Sequence, residues 1–273
     1  MSFLKAYLSP SPPNYTMFAR RTFVAIYGTI SILMIHYFEQ LTSSNDEAAL
    51  PCYHEGDIIW AERQTAGRGQ RGHTWLSGEG MNLTFSAVLE PTFLLPTEQF
   101  SLLQVVALAL VDTLKEYDIE ARIKWTNDIY VGDKKLVGIL MEHKLQGSQI
   151  GRTIMGIGIN INQTEFDPTL PNPTSMQLLT GKLYDREEIL HRIVHNLMLR
   201  YTLLQQGEQV ALHSNYLDNL YLRGRESCFA LPDGSRFQGT ITGVEPQGAL
   251  KIKDKEGVEH KFLFKEVEFV LKN

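Results

Sequence analysis

At 273 residues the chain can hold a main domain and a smaller one, since domains typically run to ~100–200 residues. Apolar residues at 43% and charged residues at 21% are globular proportions, which excludes a disordered chain or a membrane bundle. A net charge of -5 excludes general nucleic-acid affinity, which needs surplus Lys and Arg to displace counterions; any anion site must be local. Cys52 and Cys228 form no C-x-x-C pair, so a reducing, cytoplasmic setting is expected rather than a disulfide or zinc framework.

Residues 1–33 read as a poorly packed leader. Arg20 and Arg21 ahead of "TFVAIYGTISILMIHYF" have the look of a signal peptide, but no small-residue cleavage site follows. The apolar run is shorter than the ~20 residues of a spanning helix and carries Gly28, Thr29, Ser31 and His36, so no membrane anchor is expected. The main domain, 34–221, opens with the strand "MIHYFEQL", Met34 to Leu41, and Met34 is the expected functional start. "SSNDEAAL" starts a helix that Ser44 or Asn45 can cap, with Asp46 and Glu47 at its positive end.

"GDIIWAERQ" and "MNLTFSAVLE" read as strands rich in β-branched and aromatic residues. Behind a Thr97 cap, Phe100, Leu103, Ala107, Leu110 and Leu114 recur at helical spacing, which predicts an amphipathic helix to Tyr117. "ARIKW", "DIYV", "KLVGILMEHKL" and "TIMGIGININ" follow as short strands joined by turn residues, which predicts a hairpin-linked antiparallel sheet. After a loop around Pro168, Pro171 and Pro173, a second long helix runs from Asp185 to about Gln206. From 222 to 273 the helical period vanishes and turn signals recur as in a small barrel of five or six strands.

Between the second and third main-domain strands, "GRGQRG" places Gly67, Gly69 and Gly72 in the spacing of a dinucleotide-binding turn, with Glu90 near where the ribose-binding acid would stand. That turn requires a helix after the glycines, to aim its amides at a pyrophosphate. Here "HTWLSGEGMN" has Gly78 and Gly80 where the helix interior would be and runs straight into a strand. What remains is a mobile loop with Arg68 and Arg71, whose guanidinium groups suit phosphate or carboxylate, and Trp75, which can stack on a base. "KWTND" brings Lys124, Asn127 and Asp128 close in sequence, with Lys124 and Trp125 on opposite faces of a strand. "KKLVGILME" opens on Lys134 and Lys135, either as a charged turn or as part of a site. Gly156 and Gly158 in "GIGININ" mark a bulge, close helix packing or the approach of another group.

Taken in order, "SSN", "ERQTAGRGQRGHTW", "KWTNDIYV", "KKLVGILME", "GIGININ" and the C-terminal "GSRFQGTITGVEPQGAL" resemble the biotin protein ligases from about Met34 onward. The resemblance implies an α+β fold: a mixed, mostly antiparallel sheet with packed helices, similar to the class II synthetases, plus an SH3-like C-terminal β-barrel. It implies ATP, Mg2+ and biotin as ligands, biotinyl-5'-AMP as intermediate, and a biotin carboxyl carrier domain as acceptor, with a homodimer left open. Biotin is then expected at Ser43, Ser44, Asn45, Gln64, Gly67, Arg68, Gly69, Gln70, Lys135 and Gly138. The nucleotide is expected at Arg68, Arg71, Trp75, Lys124, Asn127, Lys135 and Asn160. Lys135, Arg68 and Asp128 are the expected catalytic residues, and Asp128 is also open to a metal role.

Two positions depart from the family's usual pattern, Gln70 and Thr126, where Arg and Pro are common. Gln70 keeps hydrogen bonding without the charge, so a weaker grip on the adenylate is expected, and Gln70→Arg should slow its release. The leader is too short and irregular for the winged helix that some relatives carry, so DNA binding is not expected. Lipoate ligase shares the fold and is the nearest rival. A biotin- or nucleotide-binding adaptor is a second alternative, and it would tolerate Lys135→Ala. A zinc enzyme is a third: "HRIVH" sets His191 and His195 one helical turn apart, but Arg192 stands where the general-base Glu would be.

Overall fold

The computed structural model describes residues 17–26, 29–70 and 74–271, with the backbone alone for 17–26 and 29–32. Its elements run β1 (Met17–Ile26), β2 (Thr29–Leu41), α1 (Ser44–Ala48), β3 (Asp57–Gln64), β4 (Leu83–Leu89), α2 (Phe100–Glu116), β5 (Arg122–Lys124), β6 (Asp128–Val131), β7 (Lys134–Gln146) and β8 (Gln149–Ile159). There follow α3 (Met176–Thr180), α4 (Arg186–Gln205), α5 (Gln209–Asp218), β9 (Glu226–Ala230), β10 (Arg236–Val244), β11 (Leu250–Asp254), β12 (Glu259–Phe262) and β13 (Glu268–Phe269). The first eight strands form one sheet in the order β1-β2-β3-β4-β8-β7-β6-β5, antiparallel throughout except for β2 with β3. β9 to β13 form a separate antiparallel sheet, β12-β11-β10-β9-β13. The expected mixed, mostly antiparallel α+β architecture with a C-terminal β unit is therefore what the chain adopts.

Alternation along β4, β7 and β8 divides the large sheet into two faces. Leu83, Phe85, Val137, Ile139, Met155 and Ile157 enter the main core, against which α2 and α4 pack. On the other face α1 rests on β3, β4 and β8, where Ala48, Ile59, Val88 and Ile154 form a smaller core. The functional face is the one that α1 covers in part.

Three local expectations change. The strand expected to start at Met34 starts at Thr29, and its stretch from Thr29 to Phe38 pairs with β1, so part of the leader's backbone extends the sheet instead of remaining unpaired. α2 is not amphipathic in its setting: Leu102, Val105, Val106, Leu108 and Ala109 are as buried as the expected stripe, because the sheet lies on one side and α4 and α5 on the other. Thr97 does not cap it, since Pro96–Glu98 forms a 3-10 turn whose Glu98 carboxylate accepts from Leu95 N at 2.9 Å. By contrast Asp185 caps α4 as expected, accepting from the amides of Glu187 and Glu188.

Candidate active site

Register, more than sequence proximity, builds the site. Residues paired directly across antiparallel strands project from the same face, and the ladders align Thr84, Gly158, Gly138, Asp128 and Lys124 in one row across β4, β8, β7, β6 and β5. Ser86, Gly156 and Leu140 form the next row. The central positions are glycines, so the middle of this face is a shallow trough with polar side chains at each end.

Other side chains fill the trough. A Cβ on Gly158 would overlap the Trp75 indole, and one on Gly138 would come within 2.9 Å of its Cζ3, so the ring lies across the glycine pair. A Cβ on Gly156 would overlap the Asn45 amide. Of the readings open for "GIGININ", close approach by another group is the one realised. The indole N–H is buried and has no acceptor among the described residues. Gly67 serves the loop itself: its carbonyl accepts from Trp75 N at 3.0 Å, and a Cβ there would press on the Trp75 carbonyl at 2.8 Å.

Beside the second row lies a cavity of about 60 Å³ lined by Ser43, Ser44, Asn45, Gln64, Arg68 and Gly138 among others. Ser43 is the N-cap of α1, so the polar end of this cavity is the first turn of a helix; the cap is Ser43 and not Ser44 or Asn45. Ser43, Ser44 and Asn45 are 3–4% exposed, which obliges each polar group to find a partner. Gln64 Oε1 accepts from Ser44 N at 2.7 Å, and the Ser86 hydroxyl lies 2.8 Å from Ser44 Oγ and 2.6 Å from Asn45 Oδ1.

The first row ends in a larger cavity of about 520 Å³, which shares Gly69, Gln70, Trp75, Asn127 and Lys135 with the smaller one. Lys135 Nζ sits 2.7 Å from Asp128 Oδ1 and 5.9 Å from the Trp75 ring. Lys124 is held over the rings of Tyr130 and Phe269, at 4.9 and 5.1 Å. Burial holds its ammonium below the ordinary lysine range, and nearby Asp128 opposes that shift. Asn127 Nδ2 donates to the Ile139 carbonyl at 2.6 Å and Asn160 Nδ2 to the Thr174 carbonyl at 2.9 Å, which fixes both amides at the cavity wall. Cation, carboxylate, amide and indole thus meet where the two cavities join.

Most of the expected site is brought together: Ser43, Ser44, Asn45, Gln64, Arg68, Gly69, Gln70, Trp75, Asn127, Lys135 and Gly138 line the smaller cavity, and Lys124, Asp128 and Asn160 the larger. Arg71 lies outside the described residues. The Arg68 guanidinium is engaged by Glu142 and Asp46. Sequence reasoning missed Ser86, Glu142 and the far wall of the larger cavity, which Phe264, Lys265, Val267, Glu268 and Phe269 supply. Glu142 was in view as the last letter of "KKLVGILME", two alternations beyond Gly138 on the same face. The C-terminal wall could not be placed without knowing how the second sheet docks. No group of three or more His, Cys, Asp or Glu suited to a metal occurs among the described residues, and Arg192 of "HRIVH" faces Glu116 at 3.8 Å.

Residues 34–160 match the family model described as the biotin/lipoate A/B protein ligase family. A biotin--[acetyl-CoA-carboxylase] ligase of Paracoccus denitrificans is 30% identical over 207 residues, which is 73% of this chain and 85% of that protein. A bifunctional ligase/repressor of Bacillus subtilis is 31% identical over 221 residues, 75% of this chain; the chain spans 64% of that relative's length. Among solved structures, the biotin protein ligase from Aquifex aeolicus in complex with biotin and ATP superposes with a TM-score of 0.74 at 27% identity, covering 86% of this chain and 99% of that one. The chain belongs to the biotin/lipoate A/B protein ligase family.

Proposed function

We propose that the protein activates biotin with ATP as biotinyl-5'-AMP and transfers the biotinyl group to a lysine of a biotin carboxyl carrier domain. The observation that carries this reading is the junction itself. A small pocket with a buried polar end opens, at Lys135 and Trp75, into a larger cavity bearing Lys124, Asn127, Asp128 and Asn160. The names of the Paracoccus and Aquifex relatives support the choice of biotin and ATP.

Ser43, Ser44, Asn45 and Gln64 hold the ureido end of biotin, and the acyl chain crosses the glycine trough toward Lys135. There the carboxylate meets the α-phosphate of ATP. Two anions must approach, and Lys135 and Lys124 offset their repulsion. A carboxylate oxygen attacks the α-phosphorus, the bond to the bridging oxygen breaks, and pyrophosphate leaves. In the second half-reaction the acceptor amine attacks the acyl carbon, AMP departs, and Asp128 takes the amine's proton. Until then Asp128 holds Lys135 by their 2.7 Å ion pair. The smaller cavity, at about 60 Å³, falls well short of the ~300 Å³ of ligand sites, so Arg68, Gly69, Gln70 and Trp75, which line it, withdraw to admit biotin and close over the anhydride.

Mg2+ fits as a companion of the triphosphate. The cavity offers two carboxylates, Asp128 and Glu268, and Mg2+ bound to nucleotides is commonly held by one or two carboxylates with phosphate oxygens and water. Its charge would offset that of the phosphates. Lipoate is the rival acid of the family, but its dithiolane has no N–H or C=O to meet the acceptor and donor that Ser44 and Gln64 present, a mismatch that polar sites penalise. Free Cys52 and Cys228 support a cytoplasmic location.

Incubation with ATP, Mg2+ and a carrier domain, followed by mass spectrometry, tests the whole reaction. One biotinyl group added to the carrier's lysine is expected. Modification by lipoate and not by biotin would reverse the substrate assignment, and no modification by either acid would favour the adaptor.

A further inference from the structure

We infer that Glu142 is a positioning residue with two tasks: it latches the glycine-rich loop through Arg68, and it sets which hydrogen-bonding groups the biotin pocket presents. The inference rests on the biotin reading for its second task only. Glu142 Oε1 accepts from Arg68 Nη1 at 3.0 Å, while Oε2 accepts from Arg68 Nη2 and from Asn45 Nδ2, both at 2.7 Å. Arg68 Nη2 also meets Asp46 Oδ1 at 2.8 Å. Both nitrogens at the end of the guanidinium are therefore committed to the body of the domain, and Arg68 here ties down the loop that covers the pocket.

The second task follows from counting protons. A carboxylate only accepts, so Glu142 obliges Asn45 to turn its NH2 toward it and its Oδ1 toward Ser86. Oδ1 cannot donate, so the single hydroxyl proton of Ser86 goes to Asn45. Ser44 then donates its own proton to Ser86, across 2.8 Å. With its proton spent, Ser44 Oγ can offer a ligand only lone pairs. On the facing side Gln64 Oε1 already accepts from Ser44 N, so Gln64 offers its NH2. An acceptor beside a donor is the complement of a ureido group, whose N–H donates and whose C=O accepts.

Two variants separate the tasks. Glu142→Gln keeps an oxygen for Asn45 Nδ2 and loses the charge and the paired acceptors that hold Arg68; Glu142→Ala loses both. Limited trypsin digestion reads the latch directly, because trypsin must seize the Arg68 side chain. Both variants should be cut after Arg68 about fivefold faster than the parent, with sites outside the loop and the unfolding midpoint unchanged, as suits a partly exposed ion-pair network. Calorimetry with biotin reads the pocket: Glu142→Ala should bind about tenfold more weakly, and Glu142→Gln within about twofold of the parent. Unchanged cleavage in both variants overturns the latch, and parental biotin affinity in Glu142→Ala overturns the ordering of donors. A parent chain that binds no biotin defeats the substrate reading and the ordering with it, while the cleavage rates still decide the latch.

Discussion

Gly158 lacks a side chain where the Trp75 indole needs the space, and the same holds for Gly156 beneath Asn45. Adding one methyl group at Gly158 must lift the ring from the junction of the two cavities. Overpacking of this kind costs ~1–3 kcal/mol, so Gly158→Ala is expected to raise the KM for ATP about tenfold. Steady-state kinetics with varied nucleotide checks it. Lys124 gives a pH signature. Burial lowers its pKa in the folded chain, so between the folded and unfolded values the unfolded state binds more protons, and the folded state gains stability as pH rises through that window. Nucleotide binding runs the other way, because phosphate needs the charged ammonium. The affinity for ATP should therefore fall as pH rises, at lower pH than an ordinary lysine would produce. Lys124→Arg, which keeps its charge, should abolish that fall, and the pH profile of KM for ATP is the check.

The main-domain strands β3 to β8, the two long helices and their order were legible because their signals are local, whereas β1, α3 and α5 were not read. β-Branched runs bounded by turn residues gave β3 to β8, and Asp185 announced the start of α4. The burial of α2 on nearly every face was not legible, since period alone cannot reveal that α4 and α5 cover its outer side. The row from Thr84 to Lys124 was equally hidden: it depends on the register of five strands, and a slip of one residue would turn each side chain to the other face. Many of the residues that line the two cavities were named nonetheless, because the motifs of the resemblance name residues without needing that register. Glu142 escaped for the opposite reason, since a Glu closing an apolar strand reads as a solvated end. The strand-to-turn segment of "KWTND" also joins the two sheets: Trp125 Nε1 donates to the Gly248 carbonyl at 2.9 Å, and its ring meets Phe264 edge-on at 6.3 Å. Trp125→Phe removes that donor and leaves the half-buried Gly248 carbonyl unpaired. It should cost ~1–3 kcal/mol in a urea titration and loosen the C-terminal sheet first.

The molecule as a whole divides its work between two sheets. The large one supplies the polar pocket, the trough and Lys124 and Lys135, and the C-terminal one closes the larger cavity with Phe264, Lys265, Val267, Glu268 and Phe269. The sequence announced the second unit by its turn signals. It did not say what that unit touches, because docking rests on contacts between residues far apart in sequence, such as Trp125 with Gly248 and Lys124 with Phe269. A net charge of -5 sits comfortably with a site that gathers Lys124 and Lys135 locally instead of spreading cations over the surface. The central claim is that the two joined cavities bring a biotin carboxylate to the α-phosphate of ATP. ATP–pyrophosphate exchange tests it most directly, run with Mg2+ and with biotin, lipoate or octanoate as the acid. The account predicts exchange that depends on biotin and is lost in Lys135→Ala by a factor of ~100 or more. Exchange supported by lipoate or octanoate but not biotin, or undiminished in Lys135→Ala, would contradict it.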